Sequence, residues 1–288
     1  MGSHHVGVKH AISKKHTQAL SLILQKIASG EGKSYQAILT SFLIERALVR
    51  LVSNEFLHDH LVFKGGYVGQ RIFETGRFTR DLDSILTGAS MESIVESVIE
   101  ALRQNDGDHT WFEFEEQSNL ELQNQYGGVR LKFRAGLLPK FEDVRRTQIL
   151  HLDFGIGDPI TPAPLLASTQ STLGTEYISW RVYTVETICS EKLHTLSTRG
   201  SENSRSKDVF DLACLLPKAN SQVLKEALAR TFQYRGDTLP ESIVVTIQEI
   251  DTTLLRRGWK SALAGLKTMP DFDQAFADLI KNLIAHGI

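Results

Sequence analysis

The chain has 288 residues, of which 41% are hydrophobic and 23% are charged, and its formal net charge is −2. This length allows one or two domains with a sizeable core. The near-neutral charge excludes a protein that binds nucleic acid through a basic field over its whole surface, although a local basic face stays compatible with an RNA or DNA partner.

The first part of the chain mixes helical and strand-like patterns. Apolar residues at helical spacing predict helices over residues 13–28, 34–54, 67–74 and 91–103. Short apolar or alternating runs predict strands over residues 61–63, 82–86, 111–115, 128–134 and 148–154. The proline-rich stretch that follows, residues 159–164, predicts an extended loop.

From residue 183 the pattern is helical almost to the end of the chain. The spacing predicts helices over residues 185–198, 207–216, 221–232, 241–255 and 272–285. Strands with helices followed by helices alone indicate an α+β fold, with a mixed sheet flanked by helices and then a helical region. We therefore predict N-terminal helices and an α/β core in residues 1–180, and a helical C-terminal region that completes the active site in residues 181–288.

The cysteines and the apolar runs indicate the compartment. Cys189 and Cys214 belong to no CxxC or Cys/His set, which favours a reducing environment. No apolar run approaches the roughly 20 residues that a membrane span needs. The first residues, MGSHH, have no apolar region of the kind found in signal peptides. We expect a cytoplasmic protein without a membrane partner.

A pair of carboxylates, Asp81 and Asp83, lies where the strand over residues 82–86 begins. In a strand, residues two apart point to the same face, so both side chains project together. Carboxylates this close repel each other unless a cation lies between them, and Mg²⁺ is often held by one or two carboxylates and substrate phosphates. The alternative is an exposed strand end at which Arg77 and Arg80 neutralise the acids.

The sequence KGG at residues 64–66 follows an apolar strand and precedes a short helix. Backbone N–H groups at such a position favour phosphate, and glycine lets the backbone approach closely. The alternative is an ordinary strand–turn–helix connection. Followed by the acid pair about one helix later, the glycine pair predicts a phosphate cradle next to a metal site.

A third acid, Asp153, lies near the end of a later predicted strand. Beside the strand of Asp81 and Asp83, it would complete a three-carboxylate site of the kind that holds two metal ions. The alternative is a turn residue, although Asp158, which precedes Pro159, fits a turn better.

Lys192 and Asp208 occupy two predicted helices. Lys192 lies among apolar residues, where a lysine usually extends to solvent, and Asp208 has the position of an acid that stabilises a helix start. The functional alternative is that the Lys192 ammonium contacts nucleotide phosphates while Asp208 orients it.

Four sequence blocks occur in order: KGG at residues 64–66, RFTRDLD at 77–83, LDFGIGDP at 152–159, and EKLHTLSTRG…RSKDVFDL at 191–212. Together they resemble the nucleotidyltransferase-like AbiEii/AbiGii toxins of bacterial type IV toxin–antitoxin and abortive-infection systems. The resemblance covers residues 61–216. Outside this range, the predicted helices agree with the family only in being helical.

The resemblance implies a DNA polymerase β-like nucleotidyltransferase core with a mixed sheet and a helical C-terminal part. It also implies Mg²⁺-dependent transfer of a nucleoside monophosphate from an NTP, with the tRNA 3′ end as the acceptor, and a cognate antitoxin protein as a partner. Such a transfer blocks translation. The alternatives are transfer to a protein or small molecule, and a catalytically degenerate nucleotidyltransferase fold that serves as a binding module.

The resemblance and the residue patterns together give the expected site. We expect the metal and the nucleotide to contact two sets of residues, which are Asp81, Asp83 and Asp153 for Mg²⁺, and Lys64, Gly65, Gly66, Thr79, Arg80 and Lys192 for the NTP. The expected catalytic group is Asp81, Asp83, Lys192 and Asp208, while Asp211 is expected to be structural. Tyr67 departs from the family pattern, which commonly has a small hydroxyl residue there.

Basic residues could form a surface that follows an RNA backbone. They are Arg130, Lys132 and Arg134, which share one face of the strand over residues 128–134, and the cluster Lys140, Arg145 and Arg146. The alternative is a solvated face of the sheet.

Overall fold

The computed structural model describes residues 3–120, 127–140, 147–157, 159–199, 205–266 and 268–288. The helices are α1 (Ser3–Glu31), α2 (Tyr35–Ser53), α3 (Glu55–His60), α4 (Gly65–Arg71), α5 (Met91–Arg103), α6 (Val185–Arg199), α7 (Ser206–Leu215), α8 (Ser221–Tyr234), α9 (Ile243–Gln248), α10 (Thr253–Ala262) and α11 (Phe272–His286). The strands are β1 (Leu61–Lys64), β2 (Asp81–Leu86), β3 (Thr110–Asn119), β4 (Gly128–Leu137), β5 (Gln148–Ile156), β6 (Leu165–Gln170) and β7 (Tyr177–Val182).

The strands form a mixed sheet in the order β3-β4-β5-β2-β1-β7-β6. β2 pairs in parallel with β5, and β1 pairs in parallel with β7. The pairs β3–β4 and β4–β5 are antiparallel. The sheet and the helices that follow it confirm the predicted α+β class.

Strands β6 and β7 are absent from the sequence prediction, which places a loop after residue 159. The prolines of that stretch end before β6 begins at Leu165. In β7, the buried residues Ile178, Trp180 and Val182 alternate with more exposed ones, and this period-2 pattern was the available signal.

The chain forms two compact units that alternate along the sequence. The first unit contains Met1–Leu61, Thr79–Ile156 and Ser168–Trp180, and the second contains Val62–Phe78, Gly157–Ala167 and Arg181–Ile288. Each unit is therefore built from segments that are distant in the sequence. The predicted domains, residues 1–180 and 181–288, stay a prediction.

In the first unit, α2 and α5 pack against each other, and α5 also contacts β3. Helix α5 has the bounds that the sequence predicts. The Ser90 hydroxyl fixes its start, because it caps the first turn by accepting a hydrogen bond from the N–H of Ser93. Strand β4 alternates as predicted, with Val129, Leu131 and Phe133 buried and the residues between them half-buried. The sheet therefore has an apolar face and a charged face at β4.

In the second unit, α6 packs against α8, and α7 packs against α10 and α11. The single helix predicted over residues 241–255 is wrong, because the structure has two short helices, α9 and α10. Between them the Asp251 carboxylate accepts hydrogen bonds from the backbone N–H and the hydroxyl of Thr253, at 2.9 and 2.6 Å. Such local bonds compete with helical hydrogen bonding and end the helix.

Among the described residues, no helix is both long and apolar enough to cross a membrane.

Candidate active site

The first unit carries the predicted acid pair at the start of β2. Asp81 and Asp83 are half-buried, and Leu82 between them is 2% exposed. This alternation places both carboxylates on one face of the sheet, as the period of a strand predicts. The Thr79 hydroxyl accepts a 3.4 Å hydrogen bond from the backbone N–H of Asp81 and so helps to fix the first residue of the strand. Arg80 is exposed beside it.

Asp153 lies on the neighbouring strand, directly beside the acid pair. In the parallel pairing of β2 with β5, Asp83 is in register with Asp153, and Asp81 is in register with His151. His151 Nδ1 lies 3.2 Å from Asp81 Oδ1. The register thus brings three carboxylates to one face, and we call Asp81, Asp83 and Asp153 the acid cluster.

Arg130 on β4 is the cation next to the acid cluster. The β4–β5 register places it opposite Asp153. Its Nε and Nη2 donate to Asp153 Oδ1 and Oδ2 at 2.8 and 2.7 Å, which is a bidentate pair. The hydrogen bond to Asp153 raises the pKa of Arg130 and the charges of Asp81 and Asp83 add to this, while burial opposes it. The guanidinium therefore lies in the field of all three acids.

The donor set of the acid cluster fits a hard divalent cation. Three carboxylates on neighbouring strands supply oxygen ligands of the kind that Mg²⁺ takes. Both oxygens of Asp153 accept hydrogen bonds from Arg130, so a metal ion could reach Asp153 only by displacing one of these bonds. In the part of the chain that the structure describes, no group of three or more His, Cys, Asp or Glu side chains could hold a metal by itself. The remaining ligands would come from substrate phosphates or water.

The second unit carries the KGG block, at the end of β1 and the start of α4. Gly65 has a φ of +73°, a left-handed conformation that favours glycine. Lys64, the residue before α4, gives the helix no side-chain cap, and its ammonium binds both oxygens of Glu191 at 2.8 and 3.1 Å. Tyr67 is 1% exposed, so the residue that departs from the family pattern is a packing residue.

Lys192 lies at the centre of a mostly buried set of charges. It is 9% exposed, so the alternative that its ammonium extends to solvent is wrong. Its Nζ lies 2.5 Å from Asp208 Oδ1 and 2.9 Å from Asp211 Oδ2. We call this set the ion network, which consists of Lys192, Asp208, Asp211, Arg77 and Arg205.

The two arginines complete the ion network. Arg77 Nε and Nη2 donate to the two oxygens of Asp211 at 2.9 and 3.0 Å, and Arg205 Nε donates to Asp208 Oδ2 at 2.6 Å. The ion network therefore joins three cations and two carboxylates.

The pKa values show how strongly the members of the ion network are coupled. Burial by itself would lower the pKa of Lys192, but Asp208 and Asp211 outweigh it and raise that pKa. Burial would raise the pKa of both aspartates, but Lys192 lowers them, with help from Arg205 at Asp208 and from Arg77 at Asp211. Lys192, Asp208 and Asp211 are therefore ionised at neutral pH.

The proposed RNA-binding face is charge-compensated where the structure describes it. Lys132 and Arg134 both pair with Glu115, Lys132 at 3.1 Å, and Lys140 pairs with Glu113 at 2.6 Å. Arg145 and Arg146 lie outside the described residues. The geometry favours the alternative of a solvated face of the sheet.

Comparisons with known proteins agree with the sequence blocks. Residues 46–278 match the model of a family described as nucleotidyl transferase AbiEii toxin, type IV TA system, which is more than half of the chain. The chain belongs to this family. The AbiEii family is one of toxins in type IV toxin–antitoxin systems, which implies an antitoxin partner. The chain matches no curated protein.

Solved structures share the fold of this AbiEii chain. JHP933 from Helicobacter pylori has 16% identity and a TM-score of 0.53, over 88% of this chain and 93% of that one. A nucleotidyltransferase candidate from H. pylori has 17% identity and a TM-score of 0.53, over 88% and 95% of the two chains. These neighbours confirm the predicted nucleotidyltransferase-like fold.

Sequence reasoning missed several partners in this AbiEii chain. Arg77 was a candidate to neutralise Asp81 and Asp83, but its bidentate contact is with Asp211. That contact and the one from Lys192 agree with the expected structural role of Asp211. Arg130 was assigned to an RNA surface. Its partner follows from the β4–β5 register, for which the sequence offers no local signal.

Proposed function

We propose that this AbiEii toxin is a Mg²⁺-dependent nucleotidyltransferase that transfers a nucleoside monophosphate from an NTP to the 3′ end of tRNA and thereby blocks translation. The acid cluster is the observation that carries the proposal. In this cluster Asp81 and Asp83 share one strand face and lie beside Asp153. Nucleotidyltransferases need such a carboxylate pair because the phosphate charges require a cation.

Asp81 and Asp83 would hold the Mg²⁺, which neutralises phosphate charge and orients the substrate when it is bound. The chain contributes rigidity to this arrangement. The hydrogen bonds of β2 with β5 fix the backbone of both acids, and the Thr79 hydroxyl fixes the N–H of Asp81. Because these groups are already held in position, little free energy is needed to rearrange them during the reaction.

We assign phosphate binding to the glycines of the KGG block and to nearby positions in the sequence blocks that carry basic side chains. The N–H groups of Gly65 and Gly66 begin α4, and glycine lets phosphate approach the backbone closely. Lys192 has three N–H donors, of which the contacts to Asp208 and Asp211 use two. Lys64 and Arg80 add further positive charge for the triphosphate.

The reaction conserves atoms and charge. The oxygen of an acceptor hydroxyl attacks the α-phosphorus in line and its proton passes to solvent, while the bond between the α-phosphorus and the bridging oxygen breaks and pyrophosphate leaves with that electron pair. Charge neutralisation and positioning of the substrates accelerate the reaction. No covalent enzyme intermediate is needed.

Transfer to a protein or a small molecule is the second candidate, and one observation favours it. Lys132, Arg134 and Lys140, which could have followed an RNA backbone, are paired with glutamates of β3. Charges that are already compensated attract a polyanion weakly. A catalytically degenerate fold has less support, because Tyr67 is buried as a packing residue.

The acceptor is tested with the full chain, Mg²⁺ and each α-labelled NTP in separate reactions. One arm contains total tRNA, and a matched arm contains the same tRNA after periodate oxidation, which removes the 3′-terminal hydroxyls. We expect label in intact tRNA and none in oxidised tRNA. Label in the toxin, in added protein or in small molecules would support the second candidate. No label in any arm with any NTP would contradict the proposed activity.

A further inference from the structure

We propose that Glu191 positions the ammonium group of Lys64 for the triphosphate of the NTP and is a further positioning residue of the active site. The inference rests on the proposed function, because that function assigns Lys64 to the triphosphate. Glu191 begins the sequence block at residues 191–212, but the sequence predicts no role for it. Both residues belong to the second unit, as do all the contacts that carry the inference.

Two contacts hold the Lys64 ammonium. Its Nζ donates to Oε1 and Oε2 of Glu191 at 2.8 and 3.1 Å, so it engages the whole carboxylate. Nζ also lies 5.3 Å from the ring centroid of Tyr183, which is buried. The side chains of Lys64 and Glu191 are 18% and 19% exposed, and such shielding from water strengthens the attraction between opposite charges. A lysine has a long, flexible stem, and these contacts give its ammonium a defined position.

The place of Glu191 in the chain links Lys64 to the other lysine that we assign to phosphate. Glu191 and Lys192 are consecutive residues of α6, and Lys64 immediately precedes the glycines that begin α4. Each lysine has its ammonium on a carboxylate, Lys64 on Glu191 and Lys192 on Asp208. Because one helix carries both Glu191 and Lys192, the contact with Glu191 sets the distance of the Lys64 ammonium from Lys192. Groups held at a fixed spacing bind a substrate without first losing conformational freedom.

Arg235, the residue that follows α8, braces Glu191. Its Nη2 lies 4.0 Å from Glu191 Oε1, and its Nη1 donates to His194 Nδ1 at 3.1 Å. A guanidinium has no acceptor, so His194 Nδ1 is the acceptor and His194 Nε2 carries the proton that it donates to Asp237 at 2.8 Å. The imidazole also packs edge-on against Phe232, with 4.7 Å between the ring centroids. This chain of contacts keeps the Arg235 cation beside the Glu191 carboxylate.

Two other roles of the Lys64–Glu191 pair predict different results. If the pair only stabilises the fold, Glu191 variants bind triphosphate as the wild type does. If Glu191 instead withholds the ammonium from the substrate, loss of its charge tightens triphosphate binding, because the phosphates no longer compete with a carboxylate. Positioning predicts weaker binding that depends on the presence of Lys64.

The test is isothermal titration calorimetry of the full chain with inorganic triphosphate and Mg²⁺, which applies whatever the base of the NTP. We expect Glu191→Gln to raise the Kd about tenfold to a hundredfold, which is the usual effect of losing a hydrogen bond to a charged group. Lys64→Ala should raise the Kd at least as much. In the Lys64→Ala background, Glu191→Gln should cause no further change, because a residue that acts through Lys64 then has nothing to position.

Glu186→Gln is the matched control. Glu186 is another glutamate of α6, and its Oε1 accepts a 2.8 Å hydrogen bond from the backbone N–H of Asn220. This variant should bind triphosphate with the wild-type Kd. A second variant, Glu191→Asp, keeps the charge but shortens the side chain by a methylene group. It should also raise the Kd, and it replaces Glu191→Gln if that variant does not fold.

The outcomes separate the inference from the function on which it rests. A wild-type Kd in Glu191→Gln, tighter binding by this variant, or an equal loss in the wild-type and Lys64→Ala backgrounds would overturn the role of Glu191 and leave the proposed function standing. A wild type that binds no triphosphate would overturn both. The expected pattern of triphosphate binding, without label transfer from any NTP, would support the role of Glu191 and contradict the proposed function.

Discussion

Asp211→Asn should lower the free energy of unfolding by about 3–5 kcal/mol, which is the usual result of removing one partner from a buried ion pair. Asp211 is 3% exposed and accepts two hydrogen bonds from Arg77 and one from Lys192. An amide of the same shape removes the negative charge and turns an N–H₂ group towards these donors. The buried cations Arg77 and Lys192 would then each lose a carboxylate partner, and Asp208 would be the remaining acid of the ion network.

Chemical denaturation of wild type and variant, followed by circular dichroism, measures this loss. The control is Glu226→Gln, which removes the charge from the exposed pair of Glu226 with Arg230 on α8. Exposed pairs contribute less than about 1 kcal/mol, so this variant should unfold close to the wild type. Equal unfolding curves for Asp211→Asn and Glu226→Gln would show that the ion network does not stabilise the fold as its burial indicates.

Asp83→Asn should reduce the rate of nucleotide transfer by at least about 10²-fold to 10³-fold, because it removes one of two proposed carboxylate ligands of the metal. The side chain is half-buried at the start of β2, and its replacement keeps shape and hydrogen-bonding capacity. The fold should therefore persist while the charge that holds the cation is halved. Single-turnover kinetics under saturating Mg²⁺ measure the effect on the transfer step itself.

The control for this loss is Asp278→Asn, a half-buried aspartate of α11 outside both charged clusters. It should transfer nucleotide at the wild-type rate. If Asp83→Asn transfers nucleotide at the wild-type rate and has the wild-type circular dichroism spectrum, Asp83 is not part of the active site.

Local patterns predicted the elements whose residues carry their own signals. Helix α5 has an apolar stripe and a Ser90 cap, and its bounds match the prediction. The shared face of Asp81 and Asp83 follows from the two-residue period of a strand. By contrast, the break between α9 and α10 depends on one side chain, Asp251, that competes with the helix. Helical spacing alone does not reveal such a break.

Local sequence patterns do not predict which residues pair with each other in the acid cluster and the ion network. Asp153 was a candidate from its place in a strand, but its neighbours Asp83 and Arg130 depend on the order and register of β2, β5 and β4. Similarly, Lys192 was assigned to a helix and paired with Asp208, whereas the contact of Asp211 with Arg77 joins residues 134 positions apart. Pairing at such distances is a property of the tertiary fold.

The position of the label in the NTP tests the central claim, nucleotidyl transfer, most directly. Parallel reactions contain the wild-type chain, Mg²⁺ and total tRNA, with the same NTP labelled either at the α-phosphate or at the γ-phosphate. The account predicts that the α-label joins the acceptor and that the γ-label leaves in pyrophosphate. A γ-label on the acceptor would indicate phosphoryl transfer, and label in neither product with any NTP would indicate no transfer; either result would contradict the account.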